Sequence, residues 1–246
     1  QLVLEAKELN AIVPTDNTSN MNSRELASNR RLINRLNLLI RRGDRIGIIG
    51  PNGIGKSTLV RILLKLEQAD KGRVKHGFGF KPAYFDQKRE SLDRDKSPWV
   101  ILTGGGSDTI EIDGKPRHVV RYLRDFLFDE TKMTQRVATL SGGEQNRLLL
   151  AKLFAQPHNF LVLDEPTNDL DLETLELLQE VIADYDGTVL IVSHDRDFLD
   201  RTVTKILAFE GNGKVTAHAG GYSDYLERRK LAIARKSLVN TNQKQK

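Results

Sequence analysis

Gly50-Pro51-Asn52-Gly53-Ile54-Gly55-Lys56-Ser57 is the stretch that decides the fold of this 246-residue chain. It leaves an apolar, β-branched run, Arg45–Ile49, that predicts a strand, and it opens a predicted helix over residues 58–66. A glycine-rich turn in that position can ring a phosphate chain with backbone N–H groups. Lys56 then reaches the β- and γ-phosphates, Ser57 can hold Mg2+, and Thr58 lies in the first turn of the helix that faces the anion.

A second motif, Leu161-Val162-Leu163-Asp164-Glu165, is an apolar strand that delivers two carboxylates at its C-terminal end. Open α/β sheets bind ligands at that end of their strands. Between the two motifs stands Leu140-Ser141-Gly142-Gly143-Glu144, and beyond them His194 follows a predicted strand over residues 188–193. Further strands are expected over 3–9, 160–163 and 205–209, with short ones within 74–87, while residues 32–40 are an apolar stretch. Helices are expected over 119–128, 148–154, 173–185 and 198–201. Strands alternating with helices around a phosphate loop argue for an α/β fold with a largely parallel sheet.

Composition narrows the classes. Cysteine is absent, which excludes a disulfide framework, a thiol nucleophile and a cysteine zinc site, and suits a reducing compartment. No apolar run approaches the ~18–20 residues that span a bilayer, so no transmembrane segment and a cytoplasmic location are expected. The N-terminus, Gln1-Leu2-Val3-Leu4-Glu5-Ala6-Lys7, has neither a leader pattern nor an initiator Met, which reads as an excised fragment. The net charge of +5 is concentrated at one end. Residues 226–246 hold seven basic residues against the single acid Glu227, a tail of +6 that leaves the body at −1. Such a tail either binds nucleic acid or ribosomal RNA, or is a solvated helix or linker.

The motifs together resemble an ATP-binding cassette (ABC) nucleotide-binding domain over nearly the whole chain up to Leu226. The finer match is to the soluble ABC-F class, and within it to the second of two cassettes. It rests on Asp164-Glu165-Pro166-Thr167-Asn168-Asp169-Leu170-Asp171, on Gly220-Gly221-Tyr222-Ser223-Asp224-Tyr225, and on Gly114-Lys115-Pro116-Arg117-His118-Val119 leading to Asp125-Phe126-Leu127-Phe128. The resemblance implies a P-loop NTPase fold in residues 1–225, with a mostly parallel core, an antiparallel β edge and a helical subdomain inserted at about 88–157. Residues 226–246 would be the basic tail or the start of a linker.

The resemblance also implies roles. Residues 50–58 would hold ATP, and Ser57, Gln87 and Asp164 would hold Mg2+. Glu165 would polarise the attacking water, Gln87 would touch that water, and His194 would meet the γ-phosphate. The signature Leu140 to Glu144 would contact the ATP of an opposite cassette, and Asp171 would couple the two. A lone cassette should therefore hydrolyse poorly, and the partner is a second cassette in the same polypeptide or a second copy. Ribosome, RNA or DNA are the further partners implied. The alternatives are the energising subunit of a membrane transporter and a non-hydrolysing ATP-dependent clamp. Two departures stand out. There is no aromatic residue before Phe78 to stack on adenine, so that Met21, Arg24 or Arg30 would have to substitute. Ile54 is also bulkier than the small residue often found at its position.

Overall fold

A computed structural model describes residues 1–14, 29–86, 92–112 and 114–243. The chain begins with β1 (Leu2–Pro14), β2 (Asn29–Arg41), β3 (Arg45–Ile49), α1 (Lys56–Leu63) and β4 (Lys71–His76). There follow β5 (Pro82–Asp86), α2 (Pro98–Thr103), β6 (Thr109–Ile112), β7 (Lys115–His118), α3 (Val119–Asp125), α4 (Glu130–Met133) and α5 (Gly142–Phe154). The last part comprises β8 (Phe160–Asp164), α6 (Leu172–Asp184), β9 (Thr188–Val192), α7 (Arg196–Thr202), β10 (Lys205–Gly211), β11 (Lys214–Ala219) and α8 (Tyr222–Gln243). Two compact units result: Gln1–Phe80 with Thr188–Lys246, and Lys81–Gly187.

In the first unit β3 lies between β10 and β9, parallel to both, and β11 closes the β10 edge antiparallel. β9, Thr-Val-Leu-Ile-Val, is buried at every position, as a strand covered on both faces requires. Gly47 sits in the middle of β3, where an added Cβ would come within 3.0 Å of side-chain atoms of both Leu199 on α7 and Ile206 on β10. That glycine lets the helix lie close against the strand. A separate three-stranded antiparallel sheet, in the order β2-β1-β4, carries a buried inner face that includes Leu4, Ala6, Leu9, Ile33 and Ile40.

In the second unit β5 pairs parallel with β8, and Leu161, Val162 and Leu163 are fully buried. Its helices start on side-chain caps: Ser97 for α2, Asp129 for α4, Ser141 for α5 and Asp171 for α6. Each supplies an oxygen to a first-turn N–H that has no partner within the helix.

The expected alternation of strand and helix is present, with a parallel core and antiparallel strands beside it. Several boundaries differ from expectation. β1 and β2 are long paired strands, and the hairpins β6–β7 and β10–β11 were not foreseen beyond the first strand of the latter. The helix expected over 119–128 stops at Asp125, because Leu127 takes a left-handed φ of 60°. Residues 226–243 of the basic tail continue α8, which starts inside the Gly220–Tyr225 motif and is anchored there: Asp200 accepts from the Ser223 N–H (2.8 Å) and hydroxyl (2.6 Å). Gly47→Ala should lower stability by about 1–3 kcal/mol, the usual cost of overpacking. It should appear as a lower urea midpoint with unchanged slope.

Candidate functional site

β3 ends where the loop begins, and two glycines give the loop its shape. Gly53 has φ 70° and Gly55 has φ 114°, both unfavourable for residues with a Cβ. At Gly55 a Cβ would also press to 3.0 Å on Leu32. Gly55 is the N-cap of α1, whose N-terminus has no side-chain cap bond and no acid in its first turn. A phosphate at this helix end would meet backbone N–H groups and the positive end of the helix dipole.

Lys56 is buried to 7 % exposure, which obliges its ammonium to find acceptors. Its Nζ donates to the carbonyl oxygens of Gly50 (2.8 Å) and Pro51 (3.3 Å) and lies 3.0 Å from His194 Nε2. An ammonium has donors only, so Nε2 accepts and the His194 proton sits on Nδ1. The structure thus brings His194 to the loop across 138 residues of sequence. The turn that holds it is fixed on both sides, since the Ser193 hydroxyl accepts from the Asp195 N–H (3.0 Å) and Asp195 caps α7. Ile54 has a local explanation. With Gly50, Phe209, His194 and Tyr222 it lines a cavity of about 400 Å³, and its Cγ2 lies 3.2 Å from where a Gly50 Cβ would stand.

In the second unit Asp164 ends β8 and its Oδ2 accepts from the Tyr84 hydroxyl at 2.9 Å. That tyrosine was not expected to matter; its only sequence signal is its place in the strand before Gln87. Glu165 follows at φ 51°. A left-handed backbone on a non-glycine residue is costly and concentrates at functional positions. Gln87, Met21 and Arg24 lie outside the described residues. Arg30 lies on β2 and is exposed, with Val13 as its strand partner.

The signature forms a reciprocal capping box on α5: the Ser141 hydroxyl accepts from the Glu144 N–H (3.2 Å), and Glu144 Oε2 accepts from the Ser141 N–H (2.7 Å). Partial burial works against ionisation of Glu144, but the Ser141 N–H and hydroxyl, with Lys132 and Arg147, hold its carboxyl below the ordinary range. The two glycines differ. A Cβ on Gly142 meets nothing, whereas one on Gly143 would overlap Asp171 Oδ2. Asp171 in turn caps α6 by accepting from the Thr174 N–H at 2.8 Å. The Thr174 hydroxyl and N–H, with Arg147, hold the Asp171 carboxyl below its usual range. Arg147, buried to 9 %, ties the group together through Glu173 (3.1 Å) and Thr174 (3.4 Å), with Asp171 at 3.8 Å. In the sequence this arginine is signalled only as a charge directly before Leu148-Leu149-Leu150.

Gly143→Ala should displace the Asp171 cap and cost about 1–2 kcal/mol, the worth of an N-cap, while Gly142→Ala leaves the urea midpoint near wild type. Because the Glu144 carboxyl is held below its ordinary value of 4.5, the stability it adds is complete above that value. It is lost as pH falls through the lower folded-state value. Glu144→Gln should therefore lower stability at neutral pH and flatten its decline between about pH 5 and pH 3, read by urea unfolding.

A family model described as ABC transporter matches residues 33–168, more than half of the chain. The ATP-binding protein Uup of Escherichia coli is 53% identical over 195 residues, covering 79% of this chain and 31% of that protein. The energy-dependent translational throttle protein EttA of Escherichia coli is 42% identical over 217 residues, covering 88% of this chain and 39% of that protein. The chain thus spans about a third of the length of the curated relatives it matches. A solved structure of the ATP-binding subunit of an ABC transporter aligns with a TM-score of 0.65 at 19% identity, covering 94% of this chain and 93% of that one. Such a likeness speaks to the fold. No helix among the described residues is long and apolar enough to cross a membrane. The chain belongs to the ABC family, as a cassette of the ABC-F class.

Proposed function

We propose that this chain binds ATP with Mg2+ and hydrolyses it, as one cassette of a cytoplasmic ABC-F-class protein that works against a second cassette and acts on ribosomes or nucleic acid. The observation that carries the reading is the buried Lys56 ammonium, gathered with His194 at a glycine-shaped loop whose helix end is left for an anion. The loop, residues 50–58, takes the phosphate chain. Lys56 exchanges its contacts with the Gly50 and Pro51 carbonyls for phosphate oxygens, and an imidazole N–H of His194 donates to the terminal phosphate.

Ser57 and Asp164, with Gln87, are the residues that would hold Mg2+, which would supply neutralisation of the phosphate charge. The Tyr84 hydroxyl fixes the rotamer of Asp164 for that purpose. Glu165 accepts the proton of the attacking water as its oxygen bonds to the γ-phosphorus and the bond to the β–γ bridging oxygen breaks, leaving ADP and phosphate. The signature, Leu140 to Glu144, presents the N-terminus of α5 to the nucleotide of the opposite cassette, and the open space at Gly142 suits a close approach from outside. Residues 88–157 form the helical subdomain in this reading. The likeness to a translational throttle protein supports action on the translation machinery over service to a membrane transporter.

The test is ATP hydrolysis per chain as protein concentration rises, with Glu165→Gln as the blank. The expected result is specific activity that climbs with concentration as cassettes pair, and a Glu165→Gln variant that binds ATP but turns over at least about a hundredfold more slowly. Wild-type turnover by Glu165→Gln would remove Glu165 from the role of base. Activity flat at the blank's level would show that a different cassette must complete the site.

A further inference from the structure

The three-stranded sheet β2-β1-β4 has two unlike faces. The inner one is apolar, and register places Ala6 opposite Val74 and Leu4 opposite His76 on it. On the outer face Lys7 lies opposite Arg73 and Glu5 opposite Lys75, with β4 at an edge of the sheet that no strand pairs with among the described residues. Lys7, Arg73, Lys75 and Arg41 are all exposed. Glu5 is the acid interspersed among them, and its carboxylate is 2.8 Å from the Lys7 ammonium. The Lys7 hydrogen bond, with the fields of Lys7, Lys75 and Arg73, holds that carboxyl below its ordinary range, which reports a locally positive surface. Leu39, the β2 partner of Glu5, is 53% exposed on the same face.

β4 then ends in Gly77-Phe78-Gly79. Phe78 is 101% exposed, the extreme among the large apolar side chains of the described residues, and it stands out between two glycines. Its neighbours His76 and Phe80 stack on each other at 4.0 Å, so the aromatic cluster leaves Phe78 outside. Burying nothing, a fully exposed phenylalanine gives the fold no stabilisation. Alternate residues along a strand stand about 6.6–6.8 Å apart, so Arg73 and Lys75 form a row of cations along that edge, widened by Lys7 on the next strand. Cations in a row with an aromatic face at the end are the two components that bind unpaired nucleic acid: charge follows the phosphates and the ring takes a base. A duplex offers the phosphates but keeps its base faces stacked.

We propose that the outer face of β1 and β4, through Lys7, Arg73 and Lys75, binds the phosphates of single-stranded nucleic acid while Phe78 stacks on one of its bases. This deepens the proposed action on ribosomes or nucleic acid by giving it a contact surface apart from the basic end of α8. Neither contact reads base identity, so the surface favours unpaired over paired strands rather than one sequence over another.

The experiment is fluorescence anisotropy of the whole 246-residue chain with 5′-labelled 12-nucleotide RNA, the same sequence as DNA, and a 12-base-pair duplex, over a series of salt concentrations. The wild type should bind both single strands more tightly than the duplex. Arg73→Glu with Lys75→Glu should weaken binding at least about tenfold and reduce the slope of log affinity against log salt by roughly 1.4, at about 0.7 for each phosphate left without its cation. Phe78→Ala should weaken binding roughly tenfold and leave that slope unchanged, as removal of a stacking ring would. Circular dichroism and ATP affinity equal to wild type establish that the variants are folded. Wild-type affinity in both variants, or tighter binding to duplex, overturns the proposal. If deleting residues 229–246 alone removes binding, this surface is wrong and the broader reading stands. If the wild type binds neither oligonucleotide and fails to sediment with ribosomes, both fall.

Discussion

A buried ammonium is the constraint from which the rest of the first unit follows. Lys56 carries a full charge at 7% exposure, and an unpaired charge in that position would cost several kcal/mol. Among its partners are two carbonyls of the loop it closes and an imidazole delivered by β9. For these to converge, β3 and β9 must lie side by side in parallel register, Gly47 paired with Ile191. α7 must also approach closely enough to hold the turn after β9, which the bare Gly47 permits. These carbonyls and this imidazole can be surrendered, since they are weaker partners of an ammonium than phosphate oxygens. The same contacts that keep the empty loop in shape are the ones a nucleotide replaces.

The second unit solves a different problem, that of holding two helix N-termini open. α5 and α6 both begin on capped residues, and the caps are linked: Gly143 has no side chain because Asp171 occupies the space, and Asp171 is steadied by Thr174 and Arg147. A disturbance at the start of α6 is thereby felt at the start of α5 through van der Waals contact rather than through a flexible loop. Gly142 is under no such pressure. Its lack of a side chain has no cause among the described residues, which is the pattern expected of a position shaped by something arriving from outside the chain.

Much of this was legible because the motifs carry their own geometry. The loop could be read from Gly50 to Ser57, its strand was placed to the residue, and the capping box was latent in Ser141-Gly142-Gly143-Glu144. What escaped were interactions between residues distant in sequence and ordinary in type. Tyr84 and Asp164 are 80 positions apart, and nothing in either neighbourhood announces their bond. Arg147 reads as a helix-surface charge until α6 covers it. The end of α3 turned on a left-handed Leu127, a backbone state that no propensity favours. Ile54 appeared as a departure from a family habit, and only the closeness of Gly50 and Phe209 shows the space it fills.

Charge shows the same limit most clearly. Summed along the chain, the excess of basic residues belongs to the C-terminal end, and the remainder is one charge below neutral. A sum discards geometry. In β4 the sequence Lys-Gly-Arg-Val-Lys-His alternates, and a strand turns alternation in sequence into separation in space, with cations to one side and Val74 and His76 to the other. Pairing with β1 then adds Lys7 to the same side. The acids that cancel these charges in the sum include Asp164, Glu165 and Asp171, which belong to the other unit. A body that is neutral on paper can therefore present a cationic face, and the pleat of the sheet makes it one.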